Sequence, residues 1–333
     1  MAELQTLSFE EMLARLESPA DTLVLFHRNP DADAIGSAFA LRQVLEALGS
    51  RAFCVCQDEV PARLRFLCED LQESVLPDAI PEDFAVGRVV CVDTASPSQM
   101  GRLAETYGDR VDLMIDHHGM GEPYADHYIR PDAAATGEIM FDLVKQLATE
   151  GRLTITDPLC VCLYAAISAD TGGFRFSNVT PETHLRAAEL LVSGIDAADI
   201  NHRLFSSKTE EQLRAEAAGI SNLHLFADGK IAVVTFPYAL KAALGLSDEH
   251  LDNLVEIGRS LIGVRVAISL RQPAPEGTFR ASLRAAGSYD VSALAAKFGG
   301  GGHRKAAGCT VSAADINEAM QKIIDQIDFI DLD

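Results

Sequence analysis

Eight carboxylates and imidazoles stand at the ends of apolar runs in this chain. His27, Asp31 and Asp33 follow TLVLF in the segment HRNPDADAIGS, Asp93 follows VVCV, and Asp116, His117 and His118 follow VDLMI. Asp170 closes YAAISAD. Open α/β sheets place their ligands beyond the carboxyl ends of their strands, where these groups would collect. Hard oxygen donors mixed with imidazole suit a pair of Mn²⁺-like divalent ions. Two such ions are a device for hydrolysing phosphate esters.

Each motif also has a plainer reading. Asp31 or Asp33 can cap the helix that follows, which Asp does well, although capping does not account for His27 as well. Asp116-His117-His118 can be a polar turn, and Asp93 a turn residue. Asp170 is harder to explain this way. It ends a segment read as helical, and an acid at a helix C-terminus is electrostatically unfavourable, so a compensating cation is expected.

A second set lies in the C-terminal half. The run Gly299-Gly300-Gly301-Gly302 precedes His303, Arg304 and Lys305. Glycines permit positive φ and remove side chains, so their backbone N–H groups can converge on an anion, while His303 can hydrogen-bond to or stack on a nucleotide. In TFRASLRAAG, Arg280, Ser282 and Arg284 share one face of a strand at period two. That face can bind phosphate through Arg forks, or it can be an ordinary exposed basic face.

The elements needed to hold these groups are legible as an alternation. TLVLF, AFCVC, RVVCV and VDLMI read as short buried strands. AIGSAFALRQVLEALG, ATGEIMFDLVKQLATE, DPLCVCLYAAISAD and PETHLRAAELLVSG read as helices, with Pro158 and Pro181 at first helical positions. Ser8, with Glu11 three residues on, opens an N-terminal helix. The pattern predicts an α/β fold whose mainly parallel sheet is flanked by helices over residues 1–194. A helical linker over 195–213 then leads to a smaller α/β domain with a mixed sheet over 214–333. KIAVVTFP, VRVAISLRQ, TFRASLRAA and GCTVS are its strands, and AADINEAMQKIIDQI is its closing helix.

At 333 residues, both parts can bury a core. The net charge of −21 argues against a protein that coats long duplex nucleic acid, though not against a short anionic substrate in a locally positive site. No apolar run reaches a membrane span and the N-terminus has no signal-peptide pattern, so a cytoplasmic, membrane-free protein is expected. Its seven cysteines read as buried free thiols, Cys68 on a helix. His127, His184, His202, His224 and His250 match no motif.

These segments together resemble the DHH phosphoesterase family, named for its Asp-His-His motif, and FGGGGHRKAAG resembles the DHH-associated nucleotide-binding domain. VDTASPSQMGR and SADTGGFRFSNVT match the bacterial nanoRNase and pAp phosphatase subgroup. The resemblance implies two divalent ions, Mn²⁺ first among the candidates. His27, Asp31 and Asp93 would hold one ion, and Asp33, Asp93, His117 and Asp170 the other. His118 would face the scissile phosphate and Asp116 would support from behind. Ser282, Arg284, Arg280, the four glycines and His303 would bind substrate. The implied substrates are short single-stranded RNAs of about two to five nucleotides, linear dinucleotides and pAp. A cyclic-dinucleotide phosphodiesterase and a non-catalytic nucleotide sensor are the alternatives, and the oligomeric state, a homodimer included, is open.

Overall fold

The computed structural model describes residues 4–119, 121 and 123–328, and it divides into two compact units, Met1–Ser207 and Lys208–Asp333. In the first, α1 (Phe9–Glu17) starts at Ser8, whose side chain accepts from the Glu11 N–H while the Glu11 carboxylate accepts from the Ser8 N–H. The chain then runs through β1 (Thr22–Leu25), α2 (Ala32–Ala47), β2 (Ala52–Val55) and β3 (Arg88–Val92). It continues with α3 (Leu103–Tyr107), β4 (Leu113–Asp116), β5 (His127–Ile129), α4 (Thr136–Thr149), α5 (Asp157–Asp170), α6 (Pro181–Leu191) and α7 (Ala197–Asn201). The strands form one parallel sheet in the order β2-β1-β3-β4-β5. This order reverses between β1 and β3, so the crevice beyond their carboxyl ends is the topological switch point of the sheet.

All four residues of β1 and all five of β3 are buried, as strands covered on both faces require. On one face α2 packs along α5. Gly36 makes this contact possible, because a Cβ there would lie 2.4 Å from the Cys162 carbonyl oxygen. At the foot of the sheet, buried Arg88 donates from Nη1 to the carbonyls of Arg15 and Ser18 at 2.6 and 2.9 Å, closing the C-terminal end of α1. The seven cysteines are free and buried, as expected. Cys68 departs from its helix assignment and follows a 3₁₀ turn at Ala62–Leu67.

The segment around 195–213 is not one helix. After α7 the backbone makes a π-turn over His202–Ser206, breaks, and restarts at Thr209 as α8 (Glu210–Ser221). The second unit contains α8, β6 (Leu223–Phe226), β7 (Ile231–Phe236), α9 (Tyr238–Ala243), α10 (Val255–Arg259), β8 (Val266–Arg271) and β9 (Thr278–Ala285). It closes with α11 (Val291–Ala296), β10 (Gly301–His303), β11 (Ala306–Ser312) and α12 (Ile316–Ile324). Its six strands run in the order β10-β11-β9-β8-β7-β6, with β7–β8 parallel and the other pairs antiparallel. Residues from α11 and α12 pack with Phe279, Ala281 and Leu283 into the core on one face. Among the described residues no helix is long and apolar enough to cross a membrane.

Candidate metal centre

The crevice at the switch point is built from short-range chemistry. His27 lies two residues beyond β1. Its Nδ1–H donates to the Arg28 carbonyl at 2.8 Å, which leaves Nε2 facing Asp31 Oδ2 at 3.8 Å and Asp93 Oδ2 at 3.6 Å. Asp31 serves both readings of its motif. Oδ1 caps α2 by accepting the N–H groups of Asp33 and Ala34, both at 3.0 Å, while Oδ2 is the oxygen that faces His27.

Asp33 is fully buried and caps a different helix from the one it sits on. The first residues of α4 have no side-chain cap of their own. Asp33 Oδ2 accepts the Thr136 N–H at 2.7 Å, and Oδ1 accepts the Gly137 N–H at 2.8 Å and the Ser37 hydroxyl at 3.0 Å. Burial, then the charges of Asp93 and Asp170, hold its carboxyl well above the usual range.

Asp93 stands at the centre. Its φ of +50° is tolerable for Asp but places the residue in a sparsely populated region. There the backbone leaves β3 sharply, with the Asp93 N–H on the Ile115 carbonyl at 3.0 Å. Oδ1 accepts the Thr136 hydroxyl at 2.9 Å and lies 3.8 Å from His117 Nε2. Burial opposes its ionisation, yet the three neighbouring imidazoles bring its carboxyl down to about 2.

Asp116 organises the turn that carries the two histidines. Its Oδ1 accepts the N–H of His117 at 2.7 Å, the N–H of His118 at 3.1 Å and Nδ1–H of His118 at 2.7 Å. His117 points the other way. Its Nδ1–H donates to the Ala133 carbonyl at 3.2 Å. Nε2 therefore faces Asp170 Oδ2 at 3.2 Å, with Asp93 and Asp33 oxygens at 3.8 and 3.9 Å. Burial disfavours its charged form, but the Asp170, Asp33 and Asp93 carboxylates raise His117 to about 10. Burial likewise lifts the Asp170 carboxyl to about 6 against the pull of His117.

Donor atoms of His27, Asp31 and Asp93 lie within 4.8 Å of one another, as do those of Asp33, His117 and Asp170, and those of Asp93, His117 and His118. His117 Nε2 is buried, and its nearest polar neighbour, Asp170 Oδ2 at 3.2 Å, lies outside good hydrogen-bond alignment. The carboxylates that hold a proton on this imidazole can instead share it with a divalent cation, whose charge takes the proton's place. The oxygen and imidazole donors match that class of ion.

Sequence reasoning overlooked the segment that ties these groups together. Besides its hold on Asp33 and Asp93 through Thr136, the stretch preceding α4 supplies the Ala133 carbonyl to His117 and the Arg130 N–H to the Asp116 carbonyl at 2.9 Å. Asn178 donates to the carbonyls of Ala134 and Asp170, both at 3.0 Å. Only the polar Thr136 at a helix start hinted at this. Thr136→Val keeps the backbone donor and the branched shape but loses the hydroxyl on Asp93. It is expected to weaken divalent-ion binding about 10- to 100-fold. Calorimetric titration with Mn²⁺ checks this, and an unchanged affinity would remove Thr136 from the site.

In the second unit, the β-sheet register places Arg280, Ser282 and Arg284 on one face of β9, with Thr310, Gly308 and Ala306 of β11 opposite them. Arg284 Nε lies 3.9 Å from Glu256, and Arg280 Nη1 lies 4.0 Å from Asp248. The glycine run differs from an open anion cradle. Gly299 and Gly300 turn their N–H groups back on the carbonyls of Ala296 and Ala295, both at 3.0 Å, to end α11. Gly300 has no room for a Cβ, which would lie 2.2 Å from the Gly308 carbonyl oxygen. Gly301 and Gly302 begin the edge strand β10 and pair with Gly308 and Ala307. His303 pairs with Ala306, but its side chain lies outside the described residues. Arg304 and Lys305 donate to carbonyls of the 287–289 loop.

Comparison with known proteins agrees with this architecture. The profile of the DHH family, N-terminal domain, matches residues 21–167, and that of the DHHA1 domain matches residues 228–328. A bifunctional oligoribonuclease and PAP phosphatase, NrnA, of Thermus thermophilus is 31% identical over 318 residues, covering 95% of this chain and 91% of that protein. The protein of the same description in Bacillus subtilis is 24% identical, covering 91% and 93% of the two chains. The crystal structure of an exopolyphosphatase-related protein from Bacteroides fragilis superposes with a TM-score of 0.85 at 24% identity, covering 96% and 94%.

Proposed function

Because the chain belongs to the DHH family of phosphoesterases, we propose that it hydrolyses short oligoribonucleotides and linear dinucleotides to mononucleotides, and removes phosphate from pAp. The observation that carries this reading is the gathering of six side chains into two groups, His27, Asp31 and Asp93 in one and Asp33, His117 and Asp170 in the other, with the donor atoms of each within 4.8 Å of one another. His27, Asp31 and Asp93 would hold one divalent ion, Mn²⁺ in this reading, and Asp33, Asp93, His117 and Asp170 a second. When bound, such a pair activates water and offsets phosphate charge.

The chain's own residues do the rest. Asp93 belongs to both ligand sets and is fixed by Thr136 and by its strained backbone. Asp116 holds His118 by Nδ1, so the ring presents Nε2 to the phosphate and delivers a proton to the departing oxygen. On the second unit, Ser282, Arg284 and Arg280 with Gly299 to His303 would receive the nucleotide. The similarity to two oligoribonuclease and PAP phosphatases supports the substrate class. So does a net charge of −21, which disfavours long polyanions.

Rates on 5′-pApA, a 5-mer RNA, pAp, cyclic di-AMP and a long single strand, measured side by side with Mn²⁺, test the proposal. The dinucleotide is expected to exceed the long strand at least ~10-fold in kcat/KM, a difference of about 1.4 kcal/mol, with all turnover lost on chelation. Equal rates on the two, or turnover confined to the cyclic dinucleotide, would overturn it.

A further inference from the structure

One buried carboxylate beside the centre belongs to neither ligand set. Glu138 lies in the first turn of α4 and is only 3% exposed. Its Oε2 accepts the Ala134 N–H at 3.2 Å. Its Oε1 is buried with no hydrogen-bond partner among the described residues. A half-satisfied carboxylate in such a place costs the fold free energy, so its presence calls for a reason.

Positive charge is gathered around it. Arg130 Nη2 lies 3.8 Å and Arg186 Nη1 3.7 Å from Glu138 Oε2. Both guanidiniums are aimed by Asp142, four residues further along α4. Arg130 Nη1 donates to Asp142 Oδ2 at 2.5 Å. Arg186 grips both oxygens, with Nε on Oδ1 at 2.9 Å and Nη2 on Oδ2 at 2.8 Å. Glu138 thus faces two fixed cations, one from the loop after β5 and one from α6.

Its single hydrogen bond leads to the metal centre. The Ala134 N–H and the Ala133 carbonyl belong to one planar peptide unit. The N–H of that unit ends on Glu138, and its carbonyl accepts Nδ1–H of His117 at 3.2 Å. A peptide therefore stands between carboxylate and imidazole, where many metal-binding histidines hold a carboxylate directly on the second nitrogen. Negative charge at the N–H end polarises the unit and strengthens its carbonyl as an acceptor. The stronger acceptor draws on Nδ1–H and leaves more electron density on Nε2, the atom that faces Asp33, Asp93 and Asp170. Neighbouring bonds keep the peptide from turning. The Ala133 N–H donates to the Arg130 carbonyl at 3.0 Å, and the Ala134 carbonyl accepts from Asn178 at 3.0 Å.

Resting on the two-ion reading of the centre, we infer that Glu138 is a positioning residue that acts on His117 through the Ala133–Ala134 peptide. It raises the affinity of the ion held by Asp33, Asp93, His117 and Asp170, and leaves the ion at His27, Asp31 and Asp93 unchanged.

Calorimetric titration of the full chain with Mn²⁺ tests this, with the Tm of the metal-free chain as a second readout. Glu138→Gln keeps the shape of the side chain and removes its charge. Glu138→Asp keeps the charge but, one methylene shorter, gives up the Ala134 N–H. In each, one of the two ions should bind about 10-fold more weakly and the other as in the wild type. Asp142→Asn disturbs the same arginines without touching the peptide, and should lower Tm while both affinities stay at their wild-type values. Wild-type affinities in either Glu138 variant, or equal losses at the two ions, would overturn the assignment. So would a loss in Asp142→Asn that matches the loss in Glu138→Gln. A wild-type chain that binds no Mn²⁺ would instead overturn the two-ion reading itself, whatever Glu138 does.

Discussion

Asp93→Ala is expected to lower metal-dependent hydrolysis by ~10³-fold or more, about 4 kcal/mol of barrier. Four contacts disappear together, one of them the oxygen 3.7 Å from His118 Nδ1. His27 loses the oxygen at 3.6 Å, His117 the oxygen at 3.8 Å, and the Thr136 hydroxyl its acceptor at 2.9 Å. Among the described residues no other carboxylate belongs to the groups around both His27 and His117. Ala is also poorly suited to φ +50°, so Asp93→Asn is the companion variant. Asn tolerates positive φ and keeps a hydrogen-bond acceptor for Thr136 while removing the charge. Both variants should lose activity, and the Asn form should retain nearly the wild-type Tm. Wild-type turnover in either would take Asp93 out of the mechanism.

The second large effect is on stability. Gly36→Val should destabilise the first unit by about 3 kcal/mol, the upper range for overpacking a tight core. Its Tm should fall by roughly 6–12 °C for a body of about two hundred residues. The contact leaves little alternative. The added Cβ meets a backbone carbonyl of α5 at 2.4 Å and the Ala166 Cβ at 3.1 Å, and a carbonyl inside a helix cannot rotate away. To relieve the overlap, α2 must back off α5. Asp31 and Asp33 lie at the start of α2, and Asp170 at the end of α5. Gly36→Val should therefore weaken Mn²⁺ binding as well as melting, which a calorimetric titration below Tm would reveal. A wild-type Tm would mean the helices do not pack as closely as described.

How far the sequence revealed this arrangement depends on the range of the interactions. Buried strands announced themselves, because β1, β3 and β4 are continuous apolar runs ending in polar groups. Local helix starts were equally visible, as at Ser8 and at Thr180-Pro181. What escaped depended on partners far along the chain. The three residues of β5 exist as a strand because Met114, Ile115 and Asp116 pair with them, not because HYI alternates over any length. Asp33 was legible as a ligand or as a cap of its own helix, but its hydrogen bonds to Thr136 and Gly137 span 103 and 104 residues. Nothing in the sequence marked Gly36, whose need for a bare backbone comes from the Cys162 carbonyl of α5. The glycine run was legible in part. Its backbone requirement was evident, whereas the demand of β11 for a bare backbone at Gly300 was not.

The double duty of Asp33 bears on how lineages of such proteins should be read. Asp33 caps the first turn of α4 from α2, and a descendant that abandoned catalysis would still be penalised for losing it, because two helix N–H groups would be left without partners in a buried place. Among the described residues the Asp170 carboxylate accepts no backbone N–H and, at the C-terminal end of α5, sits where an acid is electrostatically unwelcome. Selection for folding alone would preserve the first and discard the second. In a related chain, an aspartate at the position of Asp33 is thus poor testimony that the chemistry survives. The residue to ask about is the one the fold would be better off without.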